Sequence, residues 1–308
     1  MVCRLKQIAT AAGFLASTLG ANSMWFLLEK RYHSYYTCFT VSLQMLLTVA
    51  VIGLWKRKAI LQWKINQFQS LFPTAVFLST YLVLSRNAVN GWPVAFYALI
   101  SRAVPVLLLL YNCGKRRSFS AELMLNGIVP CLMVYGGSVF TTELDIFNWY
   151  LPNSGLAAVH SFLTLIALSL SLVSLDRLRI EAAGSFSTFH GILCTNSVIV
   201  LFLGDLITGF RDFRDGINFW INGWATTSFQ LTLAAVVLLN TIAFALFICF
   251  ALTVSGYAAA LLAVAYPVVA KIAGNYGGFA IIMDDQKLGL IVFTVGLLLS
   301  LICHRLTC

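Results

Sequence analysis

Ten apolar stretches, each near the length of a membrane span, run along the chain with short polar connections between them. They lie near residues 8–28, 36–55, 68–84, 92–111, 123–140, 154–175, 186–207, 229–254, 258–283 and 288–303. Crossing a bilayer as a helix takes about 20 mostly apolar residues, and within hydrocarbon only such a helix or a closed barrel satisfies its own backbone. The pattern therefore predicts an all-α polytopic membrane protein with ten transmembrane helices. No long soluble segment interrupts the series, so residues 1–308 read as one transmembrane domain. The longest connection, around residues 208–228, holds Arg211-Asp212-Phe213-Arg214-Asp215-Gly216 and reads as a solvated, self-neutralising loop. The first stretch follows Arg4 and Lys6 and is followed by Glu29-Lys30-Arg31. It is longer than the apolar core of a signal peptide and reads as a retained first span.

Composition agrees with this reading and removes several others. Of the 308 residues, 60% are hydrophobic and 10% charged, and the mean hydropathy is +0.88. The net charge of +9 would suggest nucleic acid in a soluble chain, but here the basic residues fall in short clusters between apolar runs, where they report membrane orientation. Alternate connections divide 18 of the 20 Lys and Arg unequally. Arg4, Lys6, Lys56, Arg57, Lys58, Lys64, Lys115, Arg116, Arg117, Arg177, Arg179 and Arg305 share one side with both termini, against Lys30, Arg31, Arg86, Arg211, Arg214 and Lys287 on the other. The richer side, and with it both termini, is expected in the cytosol. The eight cysteines are scattered, with no CxxC and no Cys/His spacing of a metal site. His160 and His190 have no recognisable catalytic partner, and no carboxylate pair lies at span depth. No enzymatic activity, cofactor, metal or nucleic-acid partner is expected.

The two remaining basic residues, Arg102 and Lys271, lie deep inside apolar runs with no Asp or Glu at comparable depth. A cation at a span centre costs roughly 2.5–3.5 kcal/mol on insertion scales and generally faces a bundle interior or a water-filled cavity. The pair points to an anion-handling membrane protein, and satisfaction by backbone carbonyls or a headgroup is the competing reading.

An internal match links the two regions. Laid without gaps, residues 96–106 (Phe96-Tyr97-Ala98-Leu99-Ile100-Ser101-Arg102-Ala103-Val104-Pro105-Val106) pair with residues 258–268, sharing a Leu-aliphatic element and Ala-x-Pro-Val. This supports two inverted five-helix repeats, 1–143 and 144–308, a plan in which substrate sits near the midplane. Lys271 then falls seven residues beyond the position of Arg102, nearly two turns on and on the same helix face, so that one cavity could hold both. Pro105 and Pro267 interrupt helical hydrogen bonding, either as ordinary kinks or as gating elements. The Gly274-Asn275-Tyr276-Gly277-Gly278 segment is a further weak point, suited to packing or to a helix break.

These same residues resemble the nucleotide-sugar transporters and the related triose-phosphate translocators of the drug/metabolite transporter superfamily. Residues 94–106 are similar to that group's fourth-helix pattern, in which a small-Phe-Thr element leads to Ile-Lys and then Pro-Val. Asn22-Ser23 followed by Gln44 resembles the Asn-Lys and helix-two Gln that open many members, and residues 255–274 resemble the ninth helix. The chain departs from the pattern in three places: Ser101 stands where the family has its fourth-helix Lys, Ala263-Val264-Ala265-Tyr266-Pro267 lacks the Lys of GDP-mannose carriers, and Phe189-His190-Gly191-Ile192 replaces a Phe-Tyr-Asn-Asn element. A GDP-mannose carrier is therefore disfavoured.

The resemblance implies a secondary-active antiporter of the Golgi or ER membrane that exchanges a cytosolic nucleotide sugar for a lumenal nucleoside monophosphate; a homodimer is left open. Arg102, whose guanidinium offers a bidentate fork, is the first choice for the diphosphate, and Lys271 the second. Tyr97 and Tyr266, each five residues before a cation, could line the pocket wall for base or ribose. Asn22, Gln44, Ser101 and His190 are the polar candidates for hydroxyls and base edges, with interhelical hydrogen bonding as the alternative for each. A plastid-type phosphate or other drug/metabolite carrier, and a structural or regulatory membrane protein without transport, are the competing functions.

Overall fold

The structure, a computed structural model, describes residues 2–32, 36–57, 63–87, 99–116, 121–141, 155–179, 185–223, 226–276 and 282–306. Among these residues every regular element is an α-helix: α1 (Val2–Tyr32), α2 (Thr37–Trp55), α3 (Ile65–Asn87), α4 (Val104–Arg116), α5 (Ala121–Thr141), α6 (Gly155–Arg177), α7 (Phe186–Ile207), α8 (Arg211–Gly223), α9 (Thr227–Thr253), α10 (Gly256–Tyr276) and α11 (Asp284–Leu306). Within α2, α3, α6, α7, α9 and α10 lie six segments long and apolar enough to cross a membrane, and α5 and α11 contribute shorter apolar stretches, 127–141 and 286–300. Among the described residues the chain is all-helical, and it has the character of a polytopic membrane protein.

The helices group into two compact units, each drawing on both predicted halves. The first comprises residues 1–87 and 174–255, the second residues 88–173 and 256–308.

In the first unit α1 and α9 lie side by side and antiparallel. Gly13 meets Leu246 and Gly20 meets Leu239, the rings of Phe14 and Phe247 are 5.5 Å apart, and Trp25 and Leu28 join Phe229, Leu233, Val236 and Val237 in one buried cluster. Small residues on α1 let a neighbouring helix approach closely, which is how spans associate where lipid offers no hydrophobic driving force. α7 packs on α2 and α3, and α9 packs on α2. Ser185 caps α7, its hydroxyl accepting the Thr188 N–H at 3.4 Å.

The second unit is built on α5 and α11, also antiparallel and in backbone contact. A Cβ on Gly136 would lie 2.4 Å from the Phe293 nitrogen, and one on Gly289 would lie 2.5 Å from the Phe140 nitrogen. Glycine is required at both positions, because no side-chain movement can relieve a clash with backbone. Val129, Met133, Val134 and Phe140 of α5 are buried with Val264 and Val268 of α10 and Phe293 of α11.

Three expectations change. The 208–228 connection contains the helix α8 where a loop is expected; only the Arg214–Asp215 pair, at 2.9 Å, keeps the self-neutralising character. The fourth apolar run is not one helix: residues 99–102 are helical, Ala103 is not, and α4 begins at Val104. Pro105 has no N–H to offer Ser101, and the Ala103 N–H turns to Ile100 O at 3.0 Å, three residues back. Pro267, its repeat counterpart, lies within an unbroken α10. That helix carries through Gly274 and Asn275 to Tyr276; Gly277 and Gly278 lie outside the described residues, and Ile282 and Met283 are not helical.

Candidate functional site

The break at Ala103 leaves Arg102 as the last helical residue before α4, beside the carbonyl end of α5. Its Nη1 donates to Gly137 O at 3.1 Å and to Thr141 Oγ1 at 2.5 Å. The Thr141 hydroxyl in turn donates to Gly137 O at 2.7 Å. A backbone carbonyl and a hydroxyl accepting from the guanidinium offset part of the cost of a cation in an apolar setting.

Lys271, on α10, approaches the same turn. Its Nζ lies 5.6 Å from the centre of the Phe140 ring, within cation–π range, and donates to Gln286 Oε1 at 2.7 Å. Gln286 is buried at the third position of α11, and the same oxygen accepts the Met283 N–H at 3.1 Å. This is the N3 half of a capping box, so Lys271 is tied to the start of α11. Gly137, Phe140 and Thr141 occupy neighbouring positions on α5. Arg102 and Lys271 therefore each reach residues 137–141 of α5, Arg102 through Gly137 and Thr141 and Lys271 through the Phe140 ring. The glycine contact between α5 and α11 holds Gln286, one turn before Gly289, against the end of α5.

Of the other expected site residues, Ser101 and Tyr266 lie in this second unit, both half-buried. Tyr97 falls outside the described residues. Asn22, Gln44 and His190 belong to the first unit. Asn22 is exposed on α1. Gln44 is buried, and its Nε2 donates to Asn240 O on α9 at 3.2 Å, while Thr241 Oγ1 returns a bond to Gln44 O at 3.2 Å. Its amide joins α2 to α9. His190 is buried between aromatic rings, stacked on Phe186 at 5.3 Å and tilted against Phe244 at 5.4 Å, with Nε2 3.9 Å from Cys194 Sγ. Its Nδ1 has no hydrogen-bond partner.

Thr141, Phe140 and Gln286 were not singled out from the sequence. Thr141 is a polar residue closing the fifth apolar run, a signal that becomes specific only once Arg102 is beside it. Among the described residues no group of three His, Cys, Asp or Glu side chains could hold a metal ion.

Two carboxylates in the first unit have structural work. Asp205, buried near the end of α7, accepts the Asp212 N–H on Oδ1 at 3.1 Å and the Phe213 N–H on Oδ2 at 2.9 Å, an anion closing the N-terminus of α8. Asp212 accepts the Phe39 N–H at 3.0 Å and so closes the start of α2. Burial raises the Asp212 carboxyl above its ordinary value, with the neighbouring Asp205 charge adding to the rise and backbone N–H bonds from Phe39 and Cys38 opposing it.

No protein-family model and no curated protein matches the chain. Twenty-seven chains of known structure match it. One, a crystal structure whose description names no activity, superposes with a TM-score of 0.64 over 97% of this chain and 99% of its own length, at 17% identity. At that identity the likeness shows a shared fold alone.

Proposed function

We propose that this chain is a secondary-active antiporter that moves a nucleotide sugar from the cytosol into the lumen of the Golgi or ER in exchange for a nucleoside monophosphate. The observation that carries the reading is that Arg102 and Lys271 both reach residues 137–141 of α5. Arg102, held by Thr141 at the break of a discontinuous helix, and Lys271 on the ring of neighbouring Phe140 supply the positive charge and N–H donors that a diphosphate requires. Broken helices are tolerated at membrane depth where they line a cavity, and transporter sites are characteristically built on them. The antiport mode comes with the resemblance to nucleotide-sugar transporters.

The ten-span plan of two inverted halves belongs to the same proposal, and the helix contacts support it. Exchanging the halves maps the α2–α7, α4–α10 and α5–α11 contacts each onto itself and the α3–α7 contact onto α9–α2, while the α1–α9 and α5–α10 contacts have no counterpart among those described. The resemblance of residues 94–106 and 255–274 to nucleotide-sugar transporters supplies the substrate class. Uptake of a panel of UDP- and GDP-sugars into proteoliposomes preloaded with nucleoside monophosphates tests it. Exchange of at least one pair, abolished by Arg102→Ala, is expected; well-folded protein that exchanges none across the panel refutes it.

A structural role is the second reading, favoured by the two bonds that Arg102 Nη1 makes to Gly137 and Thr141. On that reading Arg102 only closes the end of α5, and Arg102→Leu retains whatever function the protein has and the wild type binds no nucleotide.

A further inference from the structure

The described contacts of α8 fall on the starts of α2 and α9 and on the last two turns of α7. Its first turn is held by Asp205, two residues from the end of α7. Its middle lies over the start of α2, where Phe213 meets Phe39 edge-on at 6.2 Å and Gly216 is pressed against the Phe39 ring, which a Cβ would approach to 2.8 Å. Phe219 packs on Tyr36 at 5.4 Å and on Phe229, three residues into α9, at 5.1 Å. A 13-residue helix is about 20 Å long, enough to lie across three span ends.

The turn that sends it there is sharp. Gly209 and Phe210 both have positive φ, +88° and +55°. The Gly209 N–H bonds Leu206 O at 3.1 Å and the Phe210 N–H bonds Asp205 O at 2.7 Å. A left-handed phenylalanine is strained, and it is held by its ring, stacked on Phe213 at 5.6 Å and edge-on to Phe202 at 5.3 Å.

At about 100° per residue, α8 divides into three sectors. Asp212, Gly216 and Phe219 face the span ends. Arg211, Arg214, Asp215, Asn218 and Asn222 form a polar sector. Phe213, Ile217, Trp220 and Ile221 form the third, in which Ile217, Trp220 and Ile221 are exposed. The sector joins α7 through Phe213, whose ring meets Phe202 at 5.9 Å, and Phe202, Leu203, Leu206 and Ile207 are exposed along the end of α7, a span that must meet lipid.

We propose that α8 lies in the plane of the membrane, with Ile217, Trp220 and Ile221 set into the boundary between lipid headgroups and acyl chains. A helix with one apolar and one charged sector occupies that zone, tryptophan is the residue most at home there, and the polar sector is then turned to water. The occupant of the apolar sector is lipid because the surface is continuous with the lipid-facing end of α7 and contains no hydrogen-bonding side chain except the indole.

The test uses the full chain reconstituted in phosphatidylcholine vesicles. The chain has seven tryptophans, so Trp220 is isolated as the emission lost in Trp220→Phe. That component should be blue-shifted. It should lose more intensity to lipids brominated near the headgroup end of the acyl chain than to lipids brominated at the chain terminus, and little to iodide present on both sides. In a second variant, Asn218→Trp with Trp220→Phe, the new indole on the polar sector should show the reverse: strong loss to iodide and little to either bromolipid. Iodide quenching of Trp220 places the sector in water, and shielding from both quenchers places it under protein, as would a larger solubilised particle for wild type than for Ile221→Asn. Either result overturns the proposal, as does the same quenching pattern at positions 218 and 220.

Discussion

Arg102 Nη1 and Thr141 Oγ1 lie 2.5 Å apart, joining the residue at the break of one helix to the last residue of another. The bond makes Thr141 a positioning residue for the guanidinium. Thr141→Val keeps the shape and removes the acceptor. It should lower stability by about 1 kcal/mol, in the range of interhelical hydrogen bonds measured in membranes, and raise the KM for exchange more than it lowers kcat. Unfolding in mixed detergent micelles and initial rates of exchange measure the two effects.

Charge and shape can be separated at the same position. Arg102→Lys preserves the cation and loses the planar fork, so it should retain a fraction of the exchange that Arg102→Ala abolishes. Equal activity of the lysine variant and wild type would remove bidentate phosphate recognition from the account.

The α5–α11 contact predicts opposite outcomes for two glycines. Gly136→Ala drives a methyl into backbone and should cost about 1–3 kcal/mol, the usual range for overpacking. Gly204 in α7 has open space where its Cβ would go, so Gly204→Ala should be neutral or stabilising by up to about 1 kcal/mol. Thermal unfolding of the two variants beside wild type checks the contrast.

Asp212 predicts a pH dependence. Its folded pKa is raised above the ordinary 3.8, so the folded state binds the proton more tightly than the unfolded state does. Stability contributed by this group then falls as pH rises from about 3.8 through the raised value. Asp212→Asn should flatten that part of the profile, and unfolding temperatures measured from pH 4 to 7 for both proteins read it.

Much of this fold is legible as hydropathy. Every apolar run is helical over most of its described length, and six of these helices hold a segment long and apolar enough to cross a membrane, where a span must satisfy its backbone internally. The misreadings occur where a local pattern has two meanings. Arg211 to Gly216 looks like a loop by its charges, yet Phe213, Ile217, Trp220 and Ile221 recur at helical spacing just beyond them. The charges belong to one sector of a helix whose other sectors are apolar or packed. Pro105 and Pro267 sit in matching sequence, and only the first stands at a break, since a proline removes one hydrogen bond and the surrounding packing decides whether the helix bends or parts. At the site, Arg102 and Lys271 stand out because charge in an apolar run is costly and visible. Thr141 and Gln286 do not, because their roles depend on contacts 39 and 15 residues away in the chain. Gln44 is readable either as a ligand-reading amide or as an interhelical bond, and its Nε2 donates to Asn240 O on α9.

The most direct test of the account is ligand stabilisation of purified protein by nucleoside monophosphates and by the corresponding unphosphorylated nucleosides. A ligand at a hundred times its Kd stabilises by about 2.7 kcal/mol, a readily measured rise in unfolding temperature. The account predicts that rise for at least one monophosphate, none for its nucleoside, and its loss in Arg102→Ala while Thr141→Val retains part of it. Equal shifts with nucleoside and monophosphate, or an undiminished shift in Arg102→Ala, would contradict a phosphate site at the end of α5.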